Sequence, residues 1–449
     1  WTWDIPKAGA RLETSPLVVD GVMYGTGPLS FVFALDARTG EEKWRFDPHS
    51  DEGGLGIIDD PRQVVRCRSV AYWEADTPES GAACEKRIFK GDINGNLYAM
   101  DADTGESCLD FGATEGHPGY VTHWDYAGNG AGPRHTTSGS IVVGDRVISA
   151  VGVEDSVVNA SDGFVRAFNV KSGALEWEFN PIPPAYINET GAANVWSTLS
   201  VDLERGLVFL PTTSPSSDFF GGTRKFKLPY ATATVALSAE TGNPVWHYQT
   251  THHDVYDYDL PGHPLLVTIR KDGELHDVAI QQSKSGYVFV FDRDTGESLY
   301  PIEERAVPRS DVPGEETSPT QPFPVLPEPF TLTMLTRDDM YGLTPLDRAW
   351  CRARFDELRY EGMYTPPSIQ GTLHFPGFAG GGNWGGASFH PESNLLIIKS
   401  MTIGTQHWLI PVEDGESSIP DQEVGQGVPG DSSYSGGSGD PMPGTPYRT

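Results

Sequence analysis

The sequence predicts an all-β chain built as a propeller, and three observations carry the prediction. The chain is rich in turn-formers: Gly 51, Pro 36 and 11 Trp among 449 residues mark many reversals between short strands, which helical bundles do not need. A unit of strand, polar turn and aromatic-bearing strand recurs five times. The copies stand far enough apart for a four-stranded unit each, the signature of propeller blades with loop insertions.

The copies read FALDARTGEEKW at 33–44, YAMDADTGESCLDF at 98–111, RAFNVKSGALEWEF at 166–179, VALSAETGNPVWHY at 235–248 and FVFDRDTGESLY at 289–300. Each predicts a hairpin. The Asp, Asn or Ser caps the turn, Gly supplies a positive φ, and the aromatic after the turn packs against the neighbouring repeat. Anchored on Asp36, Asp101, Asn169, Ser238 and Asp292, the steps are 65, 68, 69 and 54 residues. Strands precede the repeats at 16–25, 139–152 and 206–212. Residues 301–370 are Pro-rich and irregular and predict a long excursion over one face, and a strand returns at 393–401. The propeller is expected over residues 1–410. The Gly/Ser/Pro-rich stretch 411–449 has no hydrophobic periodicity and predicts loop or disorder.

A formal net charge of -30 repels nucleic acid and anionic lipid, so nucleic acid is not an expected partner. It fits a solvated acidic face or a saline habitat. No apolar run reaches the roughly 18 residues that span a bilayer. Cys67, Cys84, Cys108 and Cys351 form no CxxC or CxxCH pattern, which excludes zinc-ribbon, thioredoxin and c-type haem readings. Disulfides in an oxidising compartment and buried free thiols both fit the count. The chain starts at Trp1 without a basic or apolar leader.

The richest polar cluster is THHDVYDYDLP at 251–261, with two His and three Asp. Three readings stand for it: a hydrogen-bonded turn, a catalytic cluster at the propeller's central face, and a zinc hydrolase site. The last lacks an HExxH helix or a third well-spaced His. Lys284 precedes an apolar strand, where a surface lysine and a functional one both fit. Arg68, among apolar and aromatic residues in CRSVAYWE, needs a buried anionic partner, structural or ligand-borne.

ETSPLVVDGVMY, CRSVAYWE, GFVRAFNVKSGALEWEFNP, ANVWSTLSVD, HHDVYDYDLPGHP, SKSGYVFVFDRDTG, SPTQPF, RYEGMYTPPSIQGTLHFPG and NWGGASFHP, in that order, make the chain resemble the quinoprotein dehydrogenases, most closely the membrane-bound glucose/quinate type. The resemblance covers nearly the whole chain. It implies an eight-bladed propeller of which about six blades lie in this sequence. It also implies pyrroloquinoline quinone (PQQ) at the axis with a divalent cation, Ca2+ or Mg2+. Asp257 matches the family's base, which takes the substrate hydroxyl proton as hydride passes to the quinone. Lys284 matches the basic residue on the quinone oxygens. Glu13, Arg68 and Thr137 match contacts to the cofactor's polar rim, Trp196 the stacking indole, and Asn383 and Trp384 a further cofactor-side segment. Cation ligands fall at Glu154, Asp155 and Asp257. Ser214 stands where the family has an Asn ligand, a departure that puts the cation's identity in doubt. The adjacent Cys-Cys pair of methanol-type members is absent near Cys67.

The resemblance further implies a sugar or polyol substrate, a membrane quinone (ubiquinone) as acceptor, and a periplasmic site of action, with an inner-membrane anchor in a segment outside this sequence. The alternative is a non-catalytic propeller scaffold for protein binding, which needs none of Glu13, Arg68, Trp196, Asp257 and Lys284 together. The match further implies blades beyond both ends of the sequence and, for these residues expressed alone, an open ring prone to aggregation.

Overall fold

The computed structural model describes residues 1–4, 13–49, 68–77, 81–124, 134–136, 138–153, 155–412, 442 and 444–449. It is all-β, with 36% strand and 7% helix. Among the described residues, four antiparallel four-stranded sheets run in chain order over 17–46, 71–122, 141–179 and 200–249, followed by a three-stranded sheet over 265–292. The first strands of successive sheets (71–74, 141–143, 200–202 and 265–271) lie side by side, and the hairpin strand 387–390 continues the series. This sets the second to fifth sheets side by side in chain order.

The repeat is the local engine of this arrangement. The third strand of each sheet ends on the anchoring residue: Asp36, Asp101, Asn169, Ser238 and Asp292. The Asp36 carboxylate accepts from the amides of Arg38 and Thr39 at 2.9 and 2.8 Å, and Asp292 accepts from Asp294 and Thr295 at 3.1 and 2.9 Å. These Asx turns replace backbone partners lost at the strand end. The glycine that follows has φ between 70 and 78° in all five copies, and in four of them the space a Cβ would fill is taken by a tryptophan. Trp44 lies over Gly105, Trp177 over Gly242 and Trp246 over Gly296. Each indole N–H reaches a carbonyl of the next sheet's turn: Trp44 to Ala102 at 2.9 Å, Trp177 to Ala239 at 3.0 Å and Trp246 to Arg293 at 3.1 Å. For these three tryptophans the expected packing on the neighbouring repeat is thus the seam between sheets.

The second repeat has no tryptophan and uses other bonds. Gly173 of the third sheet packs on Val121 and the Gly112 backbone. Arg87 bridges the Val170 and Lys171 carbonyls and Asp110. Cys84 and Cys108 form a disulfide within this sheet. Cys351 is a free thiol, and Cys67 lies outside the described residues.

After 292 the chain departs from the repeat, as its composition predicts, but it is not structureless. A hairpin pairs Ile302–Ala306 with Thr320–Pro324, and an unforeseen helix spans Pro345–Glu357. The helix starts at Thr344, whose hydroxyl and the Asp347 carboxylate cap one another's backbone. The predicted returning strand is Leu395–Ile398, paired with Ala387–His390. The reading of 411–449 as loop or disorder needs correction at its end. Tyr447–Arg448 pairs with Ile410–Pro411, and Met442 and Tyr447 are buried against Phe220, Val312 and Leu409. One Met and one Tyr supply enough apolar surface to pin a segment whose composition otherwise reads as loop. Residues 413–441 lie outside the described residues.

Candidate active site

The loop 251–260 leaves the fourth sheet and crosses the central end without regular structure. His253 and Asp257 sit in it at φ of 43 and 53°, a backbone conformation costly for residues other than Gly and one that clusters at functional sites. The twist is held by Asp254, whose carboxylate accepts from the amides of Tyr256 and Tyr258 at 2.9 and 3.1 Å, from the Ser214 hydroxyl at 2.8 Å and from the Thr232 hydroxyl at 3.0 Å. Asp254 is therefore the buried spool on which the loop is wound. It frees Asp257 and Asp259 to point elsewhere.

Those two carboxylates share one ammonium. Lys284 donates to Asp257 at 2.7 Å and to Asp259 at 3.0 Å. The environments split them. Burial raises Asp259, but Lys284, the Ser214 amide at 2.8 Å and the Trp196 indole N–H at 2.9 Å outweigh it and hold its proton affinity below the usual range. Burial, with repulsion from Asp259 and Asp155, pushes Asp257 well above that range despite Lys284. The Asp257 side chain is 14% exposed and that of Asp259 is 4% exposed, so the carboxylate with the greater appetite for a proton is also the one a substrate can meet. Two carboxylates driven apart in this way mark an acid/base assignment. The two aspartates hold Lys284 far on the charged side although burial opposes it.

The same bonds tie the cofactor-side residues to this centre. Trp196 binds Asp259 through its ring nitrogen, and its carbonyl accepts from Arg68 at 2.7 Å. The Arg68 guanidinium lies 4.8 Å from the Trp196 ring and 5.8 Å from that of Trp384, and pairs with Glu13 at 3.1 Å. Glu13, Arg68, Trp196, Trp384, Lys284, Asp257 and Ser214 thus belong to one connected site, with Asp259 and Asp254 as its joints. Asn383 spends its side chain locally, donating to the Ala379 carbonyl and accepting from the Trp384 amide. It meets the site through its carbonyl, which accepts from Gln282 at 2.8 Å. Thr137 and Glu154 lie outside the described residues.

Asp259, Asp254 and Asp218 were not singled out from sequence. Asp254 and Asp259 stand three residues before and two after Asp257, which alternating apolar residues make legible as one polar set. Asp218 had no such signal. It is buried, one carboxylate oxygen has no hydrogen-bond partner, and burial together with Asp155, Asp257 and Asp259 pushes it well above its ordinary value.

These features bear on a cation and a cofactor. Asp257 and Asp259 share Lys284, with Asp155 and Asp218 close enough to act on this pair, and a hard cation would offset that negative charge. Among the described residues no group of three or more His, Cys, Asp or Glu side chains is placed to hold a metal ion, so a cation here would need other oxygens. Both amide atoms of buried Asn194 and the hydroxyls of Ser197 and Thr213 lack protein partners. Buried polar groups are nearly always satisfied, and these sit on the two segments that carry Trp196 and Ser214. The donor set fits a flat molecule with a polar rim.

A family model described as PQQ, glucose/ethanol/alcohol dehydrogenase, beta-propeller domain, matches residues 1–448. The quinate/shikimate dehydrogenase (quinone) of Acinetobacter baylyi is 32% identical over 98% of this chain and 56% of its own length. The quinoprotein glucose dehydrogenase of Escherichia coli is 36% identical over 89% of this chain and 51% of its own length. The chain spans about half the length of the curated relatives it matches. Among solved structures, a quinohemoprotein alcohol dehydrogenase from Pseudomonas putida superposes with a TM-score of 0.63 at 25% identity, over 90% of this chain and 53% of its own. A match that runs from the first residue almost to the last, at above 30% identity to named quinoproteins, places this chain in the family of PQQ-dependent dehydrogenase β-propellers.

Proposed function

We propose that this chain carries the catalytic centre of a quinoprotein that oxidises a sugar or polyol hydroxyl and passes the electrons to a membrane quinone. The carrying observation is the geometry around Lys284, whose ammonium is held between Asp257 at 2.7 Å and Asp259 at 3.0 Å, with Asp257 the more exposed of the two. Asp257 takes the proton from the substrate hydroxyl at its carboxylate as hydride leaves the carbon that bears that hydroxyl. Lys284 holds Asp257 in place and supplies a positive charge where negative charge builds on the acceptor. Asp259 fixes Lys284 and Trp196 relative to one another. Trp196 offers a flat face, and Arg68, Asn194 and Thr213 offer donors at the rim. Bound there, PQQ would supply the hydride acceptor and a divalent cation, Ca2+ or Mg2+, would supply Lewis acidity, with Asp155 and Asp257, together with Glu154 and Ser214, as the groups that would hold it. A scaffold propeller has no use for unmet polar groups buried around an aspartate–lysine centre.

Among the relatives, a quinoprotein glucose dehydrogenase and a quinate/shikimate dehydrogenase (quinone) support the substrate class, and the second supports a quinone acceptor, ubiquinone being the specific one proposed. The Cys84–Cys108 disulfide supports an oxidising compartment, and we assign the protein to the periplasm. No helix among the described residues is long and apolar enough to cross a membrane, so the proposed inner-membrane anchor lies elsewhere. The test is reconstitution with PQQ and Ca2+, followed by near-ultraviolet absorbance and a panel of sugars and polyols with a dye acceptor. Failure to bind PQQ overturns the reading. Alkaline phosphatase fused to the full-length protein is expected to be active; an inactive fusion would place it in the cytosol.

A further inference from the structure

The catalytic loop 251–260 is held from outside by the excursion 301–324, which the repeat does not explain. Gln321, buried on the hairpin strand Thr320–Pro324, closes both main-chain groups of His252. It accepts from the His252 amide at 2.7 Å and donates to the His252 carbonyl at 2.8 Å. Glu315, whose side chain is 3% exposed, takes the next residue. The His253 ring donates from Nε2 to one carboxylate oxygen at 3.1 Å, and the other oxygen accepts from the Gly221 amide at 2.5 Å. The Glu316 amide donates to the same carboxylate at 2.9 Å, so Glu315 is fixed by its own segment before it meets the loop. The His253 ring lies where a Cβ on Gly221 would stand, and the His252 ring reaches Glu304 at 3.0 Å. Close packing does not replace these bonds. The loop and the segment 316–319 both line a cavity of about 520 Å³, which Arg224 also lines.

We propose that Glu315 and Gln321 are positioning residues that hold the catalytic loop so that Asp257 stands at its place, an inference that rests on reading Asp257 as the base. The bonds end where the loop is strained. His253 stands at φ of 43°, a conformation that persists in a residue other than Gly only where its surroundings impose it. Gln321 closes the backbone just before it, and Glu315 holds its ring. The next residue is Asp254, whose carbonyl accepts from Arg224 and whose carboxylate binds the Tyr256 and Tyr258 amides. Asp254 therefore sets the shape of the turn that carries Asp257, and the two excursion residues set where that turn stands. Burial opposes charge on Glu315, but His253, Arg224 and the Gly221 amide outweigh it and hold its carboxyl below the usual range. A reacting group misplaced by about 1 Å loses up to about 10² in rate, so a brace that touches neither substrate nor cofactor still acts on turnover. It also gives the two His of HHDVYD and the Gln of SPTQPF a role that cofactor contact does not.

Hydrogen exchange and single-turnover reduction of the reconstituted protein test this together. The Tyr256 and Tyr258 amides, which donate to Asp254, report the loop. Glu315→Ala is expected to speed their exchange about tenfold or more while the sheet over 200–249 keeps its protection. It is expected to slow single turnover about tenfold to a hundredfold with PQQ affinity little changed. Glu315→Gln, which keeps an oxygen for the Gly221 amide and a polar partner for His253, is expected to restore most of both. His253→Asn suits the left-handed backbone but is too short to reach Glu315. It is expected to match Glu315→Ala, and it keeps the test open should Glu315→Ala not fold. The double variant is expected to lose no more than either single one, since the pair acts as a unit. Wild-type exchange at Tyr256 and Tyr258 in both single variants, or a double variant slowed by the product of the two single losses, overturns the proposal. Faster loop exchange in a protein that turns over at the wild-type rate keeps the brace and overturns the reading of Asp257 as base instead.

Discussion

Replacing Asp257 with Asn removes the proton acceptor while leaving almost every other bond of the site in place. Lys284 keeps Asp259 at 3.0 Å, and the new side-chain carbonyl can still accept the bond that Asp257 accepts at 2.7 Å. Asp254, which winds the loop, is untouched, as are the Ser214 and Trp196 bonds to Asp259. The variant is therefore expected to fold and to bind PQQ within a few-fold of wild type. One fewer carboxylate in the cluster lowers cation affinity modestly. Loss of a positioned general base costs on the order of 10² to 10⁴ in rate, or about 3 to 5 kcal/mol of barrier. The assay is single-turnover reduction of the reconstituted protein, followed at the cofactor's absorbance with substrate in excess, which separates chemistry from product release. A rate within threefold of wild type, with cofactor and cation bound, would refute the assignment of Asp257 and turn attention to Asp259.

Trp196→Ala is expected to weaken PQQ binding about tenfold or more by deleting the stacking face; unchanged affinity by fluorescence titration would place the ring elsewhere. Asp218→Asn should raise the melting temperature of the metal-free protein, because the carboxylate is buried beside three others with an unmet oxygen; an unchanged or lower melting temperature would show that its charge is already compensated. Burial holds His407 near a pKa of about 4, below its ordinary 6.5. Its neutral form is thus favoured in the fold, and the stability it contributes is complete above pH 6.5 and lost as pH falls through about 4, by about 3 kcal/mol. His407→Phe should flatten that acid limb in urea titrations at stepped pH, and a slope equal to wild type would show that His407 is not buried neutral. Trp177→Ala, which opens the seam over Gly242, should cost about 3 to 5 kcal/mol by urea unfolding, a loss below 1 kcal/mol being inconsistent with a sheet-to-sheet seam there.

The propeller was legible because its instructions are local. An Asx or Ser turn, a glycine at positive φ and a tryptophan that follows are all contained in about a dozen residues, and five copies repeat the message. Even the packing of each aromatic on the next unit followed from the period. The helix at Pro345–Glu357 was missed although its TPLD start carries a capping box, because the prolines around it read as irregular chain. The disulfide partner of Cys84 was not readable, since four cysteines leave the pairing open and proximity in a sheet chooses among them. The candidate site divides along the same line. Motif order pointed to Asp257, Lys284, Trp196 and Arg68. Their division of labour came from distance and burial: one ammonium between two aspartates, an indole and an amide on Asp259 alone, and Asp257 left open with a raised proton affinity. Asp218 and the unmet Asn194 became visible only when residues from separate sheets were brought to a common centre, because a pKa shift and an orphaned hydrogen bond are properties of neighbours in space. The cavity at Arg224 belongs to the same class, being formed where two loops about ninety residues apart in the chain close over the back of the catalytic loop.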